Sequence, residues 1–270
     1  MFVRCYCMVQ PYMDYSINYE RFKMKENPVP ALQRGCEIIS LIAMNPGINI
    51  SGIEKNMEIP KASLNRIIKV LLEKDFIAHT EEKRGLKIGK KLLSDVMKSY
   101  EVDPLVKNTA VMLRNLGEKW KTTFVVYQYE EAFKVVWKAK YEPVDGIKTQ
   151  APGSFTQKMH ISAQGQLFFS LLPDLKIKEF VSSEFAEKIT EKTLTTEAEL
   201  LKRIREIRKQ KWAYQEKENS ISRKQIAIPL VFNNIPGLYA LGCHLPLEFN
   251  DIEKLKTDML IEASKFSYKE

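Results

Sequence analysis

The segment IPKASLNRIIKVLLEKDFI, residues 59–77, constrains the fold more than any other stretch of this chain. Pro60 marks its start, and Leu64, Ile67, Ile68, Leu71 and Leu72 then recur at the period of an α-helix with one apolar face. The opposite face carries Ala62, Asn65, Arg66 and Lys69, with Lys61 at the tip. Such a face is either an ordinary solvated surface or one meant for a polar, negatively charged partner. The helix alone does not decide between them.

Its neighbours narrow the choice. Leu32, Gly35, Cys36, Ile39, Ile42 and Ala43 predict an amphipathic helix upstream, stopped by Asn45, Pro46 and Gly47. A short second helix is expected to open at Ser51, with Glu54 three residues on in the capping-box pattern. After the third helix, DFIAHTEEKRGLKIGKKL reads as two short strands around a charged turn at 81–85. Helix, turn, helix and wing in this order, within residues 28–90, predict a winged helix-turn-helix.

That arrangement gives the polar face a purpose. A helix entering the DNA major groove needs small or polar side chains at its N-terminal end, so that base edges can approach. Asn can pair bidentately with adenine and Arg with guanine, while nearby Lys and Arg hold phosphates. Ser51, Lys61, Ala62, Ser63, Asn65, Arg66 and Lys69 meet this description, and Lys83 and Arg84 at the wing tip could reach the backbone or the adjacent minor groove. The excess of 42 Lys and Arg over 34 Asp and Glu gives a net charge of +8 and a pI near 9.1, which suits a polyanionic partner without demanding one.

Residues 91–121 read as polar-faced helical linker, overlapping the start of a second domain at 104–270. There, residues 122–129, 133–140, 225–232 and 238–245 are rich in β-branched and aromatic residues, and NNIPG between the last two is a hairpin turn. Helices are expected at 162–172, at 196–211 with Thr196 and Glu199 as its cap, and at 250–267 with Ile252, Leu255, Met259 and Ala263 inward. The fold class is therefore α+β in two domains, the second built on a mostly antiparallel sheet. Residues 1–27 lack periodicity and read as a flexible arm, or as a start misplaced upstream of Met24.

Motifs for chemistry are scarce. GLKIGKK at 85–91 is one residue short of a phosphate-binding loop, has Lys91 in place of the magnesium-binding hydroxyl, and falls where a strand is expected. There is no G-x-S-x-G, H-E-x-x-H or paired C-x-x-C, so neither catalysis, a metal nor a cofactor is expected. Cys243 beside His244 suggests a thiol nucleophile only superficially, because neighbours on a strand face opposite ways. Cys36 and Cys243, each in an apolar run, read as buried small hydrophobes, and Cys5 and Cys7 form a C-x-C pair with no second pair near it. No apolar run approaches the ~18 residues that cross a membrane, and no leader pattern precedes the fold, so a cytoplasmic protein is expected.

The stretch ALQRGCEIISLIAMNPGINISGIEKNMEIPKASLNRIIKVLLEKDFI, with LKIGKKLL after it, resembles the N-terminal winged helix-turn-helix of the IclR family of transcriptional regulators. MHISAQGQLFFSLLP (159–173) and IAIPLVFNNIPGLYALGCHLP (226–246) are similar to segments of that family's C-terminal domain, so the likeness covers about residues 28–270. It implies a linker helix, a GAF-like effector-binding domain, and homodimers or homotetramers on palindromic double-stranded operators. The implied effector is a small organic molecule, such as a small carboxylate or an aromatic. Its implied contacts are Met159, Ser162, Ala163 and Gln164 near the 159–173 segment, and Gln215, Gln225, Gly242 and His244 on the last strands.

The departures are specific. Glu58 stands in the inter-helix turn where the family favours glycine, at a cost of about 1 kcal/mol if the backbone is left-handed. Glu54 replaces an alanine and adds negative charge near the groove. Gln215, Gln225, Gly242 and His244 replace an acidic residue, a cysteine and two serines, so the family's usual ligands do not carry over. The alternative reading is a DNA-binding regulator whose C-terminal domain only oligomerises; an enzyme using Cys243 or His244 is the remotest.

Overall fold

The computed structural model describes residues 29–57, 59–82, 84–184, 188–220, 222–232 and 237–266. The expected arm at 1–27, with Cys5 and Cys7, and also Glu58 and Lys83, lie outside the described residues. The chain divides into two compact units, residues 1–98 and 99–270.

In the first unit, α1 (Pro30–Met44), α2 (Ile50–Asn56) and α3 (Lys61–Glu73) are followed by β1 (Ile77–His79) and β2 (Leu86–Ile88), which pair antiparallel. Ile38, Ile42, Ile53, Leu64, Ile68, Ile77 and Leu86 make its core. β2 also bridges to Ile48 in the connection between α1 and α2, which ties the hairpin to the helices. Leu86–Ile88 of GLKIGKK are accordingly strand, and the glycines on either side have a structural reason. A Cβ on Gly85 would lie 2.1 Å from the Gly47 carbonyl oxygen, and one on Gly89 would lie 2.1 Å from that of Asp75.

Three local expectations are corrected here. The α2 cap is Asn49, whose Oδ1 accepts from Gly52 N–H at 2.7 Å, in place of a Ser51–Glu54 box. The helix starts two residues earlier than the capping pattern suggested, and Asn is as good a cap as Ser. The inner face of α1 is Gly35, Ile38 and Ile42, while Leu32, Cys36 and Ala43 are exposed. Cys36 is therefore not a core residue, because Ile38 sits where the packing stripe runs.

The linker expected at 91–121 is two helices of different character. α4 (Lys90–Val102) buries no residue, whereas α5 (Pro104–Trp120) buries Leu105, Met112, Leu113 and Leu116 and belongs to the core of the second unit. Asp103 breaks them, its carboxylate accepting from Leu105 N–H at 2.8 Å with Pro104 at the first helical position.

The second unit is a six-stranded antiparallel sheet in the order β5-β4-β3-β8-β7-β6, formed by β3 (Thr123–Glu130), β4 (Lys134–Tyr141), β5 (Phe155–Thr156), β6 (Ala213–Glu216), β7 (Arg223–Leu230) and β8 (Leu238–Pro246). β7 and β8 pair as the expected hairpin, from Arg223↔Pro246 to Leu230↔Tyr239. Period-two alternation sends Phe124, Val126, Ile226, Ile228, Leu241, Cys243 and Leu245 to the side covered by α5 and α9 (Ile252–Ser264). Val125, Tyr127, Trp137, Ala227 and Ala240 face α6 (Ala163–Leu171) and α8 (Glu197–Gln210). Thr196 and Glu199 form the expected capping box on α8. α7 (Asp174–Glu184), β5 and β6 were not expected: β5 is two residues long, and α7 buries Ile177 and Phe180 in the core with Val181 packed beside them.

Candidate functional site

Two surfaces carry the residues singled out in the sequence. The first is the outer face of α3. Leu64, Ile68 and Leu71 bury one side, so the residues on the opposite side of each turn stand outward. Lys61, Ala62, Asn65, Arg66 and Lys69 are exposed and Ser63 is half-buried; Ser51 and Arg84 are exposed elsewhere on the unit. The side chains of Lys61, Asn65 and Arg66 hold no hydrogen bond or ion pair with another described residue. Lys69 lies 3.9 Å from Glu73, both side chains largely in solvent, a contact too weak to hold the ammonium in place.

The second is a cleft of about 500 Å³ in the second unit, between the sheet edge at β4–β5 and the start of α6. Among the residues expected at an effector, Ser162, Gln164, Gln225 and His244 line it. Met159 and Ala163 are buried beside it, and the Met159 carbonyl packs so closely on α6 that a Cβ on Gly165 would lie 2.2 Å away. Gln215 faces the β6–β7 turn, accepting from Glu218 N–H at 2.9 Å and donating to Asn219 at 3.4 Å. Gly242 does not line the cleft: a Cβ there would meet the Tyr127 ring at 2.6 Å.

The floor is a chain of buried hydrogen bonds. Ala163 N–H donates to Gln225 Oε1 at 3.2 Å, which fixes the amide so that Nε2 faces His244 Nδ1 at 3.3 Å. Nδ1 is then the acceptor, so Nε2 carries the ring proton and donates to Tyr127 Oη at 2.6 Å. Burial, and then the charge of Arg223, push the His244 pKa down to about 3, which keeps the ring neutral. Cys243 points to the opposite side of the sheet, and burial raises its thiol well above the usual range. The two neighbours therefore cannot act as a nucleophile and base.

One wall is made by Lys148, Thr149 and Gln150, held by one carboxylate. Glu142 accepts from Lys140 at 2.7 Å and from Thr149 N–H at 3.0 Å, with Lys148 at 3.4 Å. Burial alone would raise its pKa; the hydrogen bonds from Lys140 and Thr149 outweigh that and bring it to about 2. Lys148, Thr149, Lys158, Trp137 and Arg223 are also in the lining, and none of these was singled out from sequence. For Arg223 a signal existed, since it sits two residues before Gln225 on one strand and so shares its face. For Trp137 and Lys148 nothing local pointed to the cleft; their place depends on long-range pairing.

Residues 97–261 match the family described as "Bacterial transcriptional regulator IclR C-terminal", and the chain belongs to the IclR family. The HTH-type transcriptional regulator BhcR of Paracoccus denitrificans is 22% identical over 242 residues, covering 88% of this chain and 85% of that protein. The crystal structure of the Thermotoga maritima IclR superposes with a TM-score of 0.73 at 21% identity, covering 87% of this chain and 96% of that one. An IclR homolog from Microbacterium hydrocarbonoxydans complexed with 4-hydroxybenzoate superposes with a TM-score of 0.75 at 13% identity, over 87% and 97% of the two chains. Among the described residues, no helix is long and apolar enough to cross a membrane.

Proposed function

We propose that residues 28–90 are a winged helix-turn-helix that reads duplex DNA through α3, and that the C-terminal domain senses a small molecule and self-associates. The observation that carries this reading is the α3 face itself. Lys61, Asn65 and Arg66 stand exposed without a partner among the described residues, while the other side of the same helix is sunk in the core. Asn65 and Arg66 supply the amide and guanidinium that read base edges; Lys61 and Lys69 supply phosphate contacts, with Arg84 and Lys83 as the wing's contribution. Ala62 and Ser63 keep the approach open, and Ser51 adds a hydroxyl from α2.

Reading a two-fold operator requires two such heads about one DNA turn apart, hence a homodimer or a pair of dimers. A ligand in the cleft shifts the heads only in so far as it binds one arrangement more tightly than the other. Effector sensing is supported by the 4-hydroxybenzoate complex of a family member and by the volume of the cleft, which lies in the usual range for small-molecule sites.

The test is selection of the purified full chain on random duplex DNA at about physiological salt, followed by sequencing. A two-fold symmetric motif is the expected result. Enrichment of no sequence, with binding that only tracks salt, sinks the base-reading role of α3.

A further inference from the structure

β4 is irregular beside the cleft. Val126 pairs with Ala139 and Tyr127 with Trp137, so Lys138 is an extra residue in the strand, a β-bulge. The bulge shifts the alternation of β4 by one. Trp137 lies on the α6 side, where it lines the cleft and packs edge-on against the Tyr127 ring at 5.2 Å. Ala139 falls on the opposite side, toward α5 and α9. Lys140, paired with Val125, is back on the cleft side and donates to Glu142 at 2.7 Å. Strict period two would put Trp137 and Lys140 on opposite faces.

The extra residue itself turns away from the cleft. Lys138 Nζ lies 3.8 Å from Asp103 Oδ2, with the two side chains 28% and 30% exposed. Asp103 is the break between α4 and α5, and its other oxygen accepts from Leu105 N–H at 2.8 Å and Val106 N–H at 3.4 Å. α4 buries no residue, so this carboxylate stands where the chain from the first unit enters the core of the second. A partly exposed pair at this distance adds little to stability, and its loss leaves the fold intact. The other edge of Trp137 belongs to the cleft: its N–H donates to the Ser154 carbonyl at 2.9 Å and its carbonyl accepts from Gly153 N–H at 2.7 Å, just before β5. Phe155 and Thr156 of β5 line the cleft as well. Ladder pairing is interrupted at a bulge, so β4 can give there.

We propose that Lys138 is a positioning residue that couples the cleft to the linker: a change at Trp137 alters the bulge, and Lys138 passes it to the Asp103 cap at the junction of α4 and α5. This role rests on the reading of the C-terminal domain as a small-molecule sensor. The contact has two states, Lys138 on Asp103 or away from it, and a ligand against Trp137 acts by favouring one of them.

The experiment is hydrogen exchange on the full chain, without ligand or DNA, read at the Leu105 and Val106 amides relative to the core amides of α9. Trp137→Leu changes the cleft side of β4 and should alter exchange at these two amides by about threefold or more. In the Lys138→Met background that alteration should disappear, and likewise with Asp103→Asn, which keeps a competent cap and removes the charge. Lys138→Arg should retain it. Trp137→Phe is the second probe if Trp137→Leu does not fold. An effect of the Trp137 substitution that persists with Lys138→Met, or exchange at Leu105 and Val106 indifferent to Trp137, overturns the relay. Neither outcome touches the sensor reading, which fails only if no small molecule binds the cleft.

Discussion

The α3 face and the cleft are both polar, yet they differ in what their polar atoms do. On α3, Lys61, Asn65 and Arg66 are exposed and have no partner among the described residues, and the helix is held through the other side, by Leu64, Ile68 and Leu71 with Ile67 and Leu72 beside them. At the floor of the cleft, Gln225 and His244 are buried and hydrogen-bonded in a chain that ends on Tyr127, so the lining is also part of what holds the domain together. A surface of the first kind can change its specificity without unfolding. One of the second kind cannot change a residue without leaving a partner orphaned.

The largest expected effect comes from the buried side of α3. Leu64→Ala should destabilise the first unit by about 2–5 kcal/mol, the range for a fully buried leucine whose cavity does not collapse. Denaturant unfolding followed by the hydrogen exchange of α3 would measure it, and a loss below about 1 kcal/mol would mean that α3 is not held by this core. In the cleft, Tyr127→Phe deletes one oxygen and leaves His244 Nε2–H facing a ring, at a cost of about 1–3 kcal/mol. A neutral result would show that the hydroxyl is dispensable and the chain of hydrogen bonds looser than its distances suggest.

Arg66→Ala tests the comparison from the other side. It should lower affinity for the selected DNA by about 1–3 kcal/mol and relax preference at one base pair, while changing stability by less than about 0.5 kcal/mol. Equal loss on specific and non-specific DNA would make Arg66 a phosphate contact.

The cleft should also respond to acid. The folded His244 pKa of about 3 lies below its unfolded value of 6.5, so folding favours the neutral ring. The stability this contributes is complete above pH 6.5 and is lost as pH falls toward 3, with a slope of up to about 1.4 kcal/mol per unit. Glu142 acts lower still: its pKa is depressed from 4.5 to about 2, so its contribution is full above 4.5 and disappears between those values. His244→Gln should flatten the stability profile between pH 6 and 4 and leave the steeper fall below that; an unchanged profile would mean that His244 is protonated without cost.

The same difference explains what was legible in the sequence. The α3 face follows from a 3.6-residue period, a local rule, so its exposed residues could be named from fifteen or so consecutive positions. The β7–β8 hairpin and the Thr196–Glu199 cap were equally local. The α2 cap was misplaced by two residues because Asn49 and Ser51 are both competent caps and only packing chooses between them. Cys36 was placed inside because the period of α1 fits two neighbouring stripes, and the choice of Ile38 over Cys36 is made by what α1 packs against. Trp137, Lys148 and Arg223 meet only after β4, β7 and the 142–150 loop are brought together, and no window of sequence contains that information. Gly242 looked like a lost ligand contact; its actual neighbour is the Tyr127 ring, a residue on another strand.

The smallest effect separates charge from reading within α3. Lys69 sits one turn beyond Asn65 and is shared, at 3.9 Å, with Glu73. Its ammonium is therefore available to a phosphate but is not oriented toward a base edge. Lys69→Gln should weaken every DNA sequence by a similar factor, leave the selected motif unchanged, and reduce the slope of log affinity against log salt by about 1. If the motif changes instead, recognition extends a full turn further along α3 than Asn65 and Arg66. If neither slope nor motif changes, Glu73 already neutralises Lys69 and the phosphate contact belongs to Lys61 or to the wing.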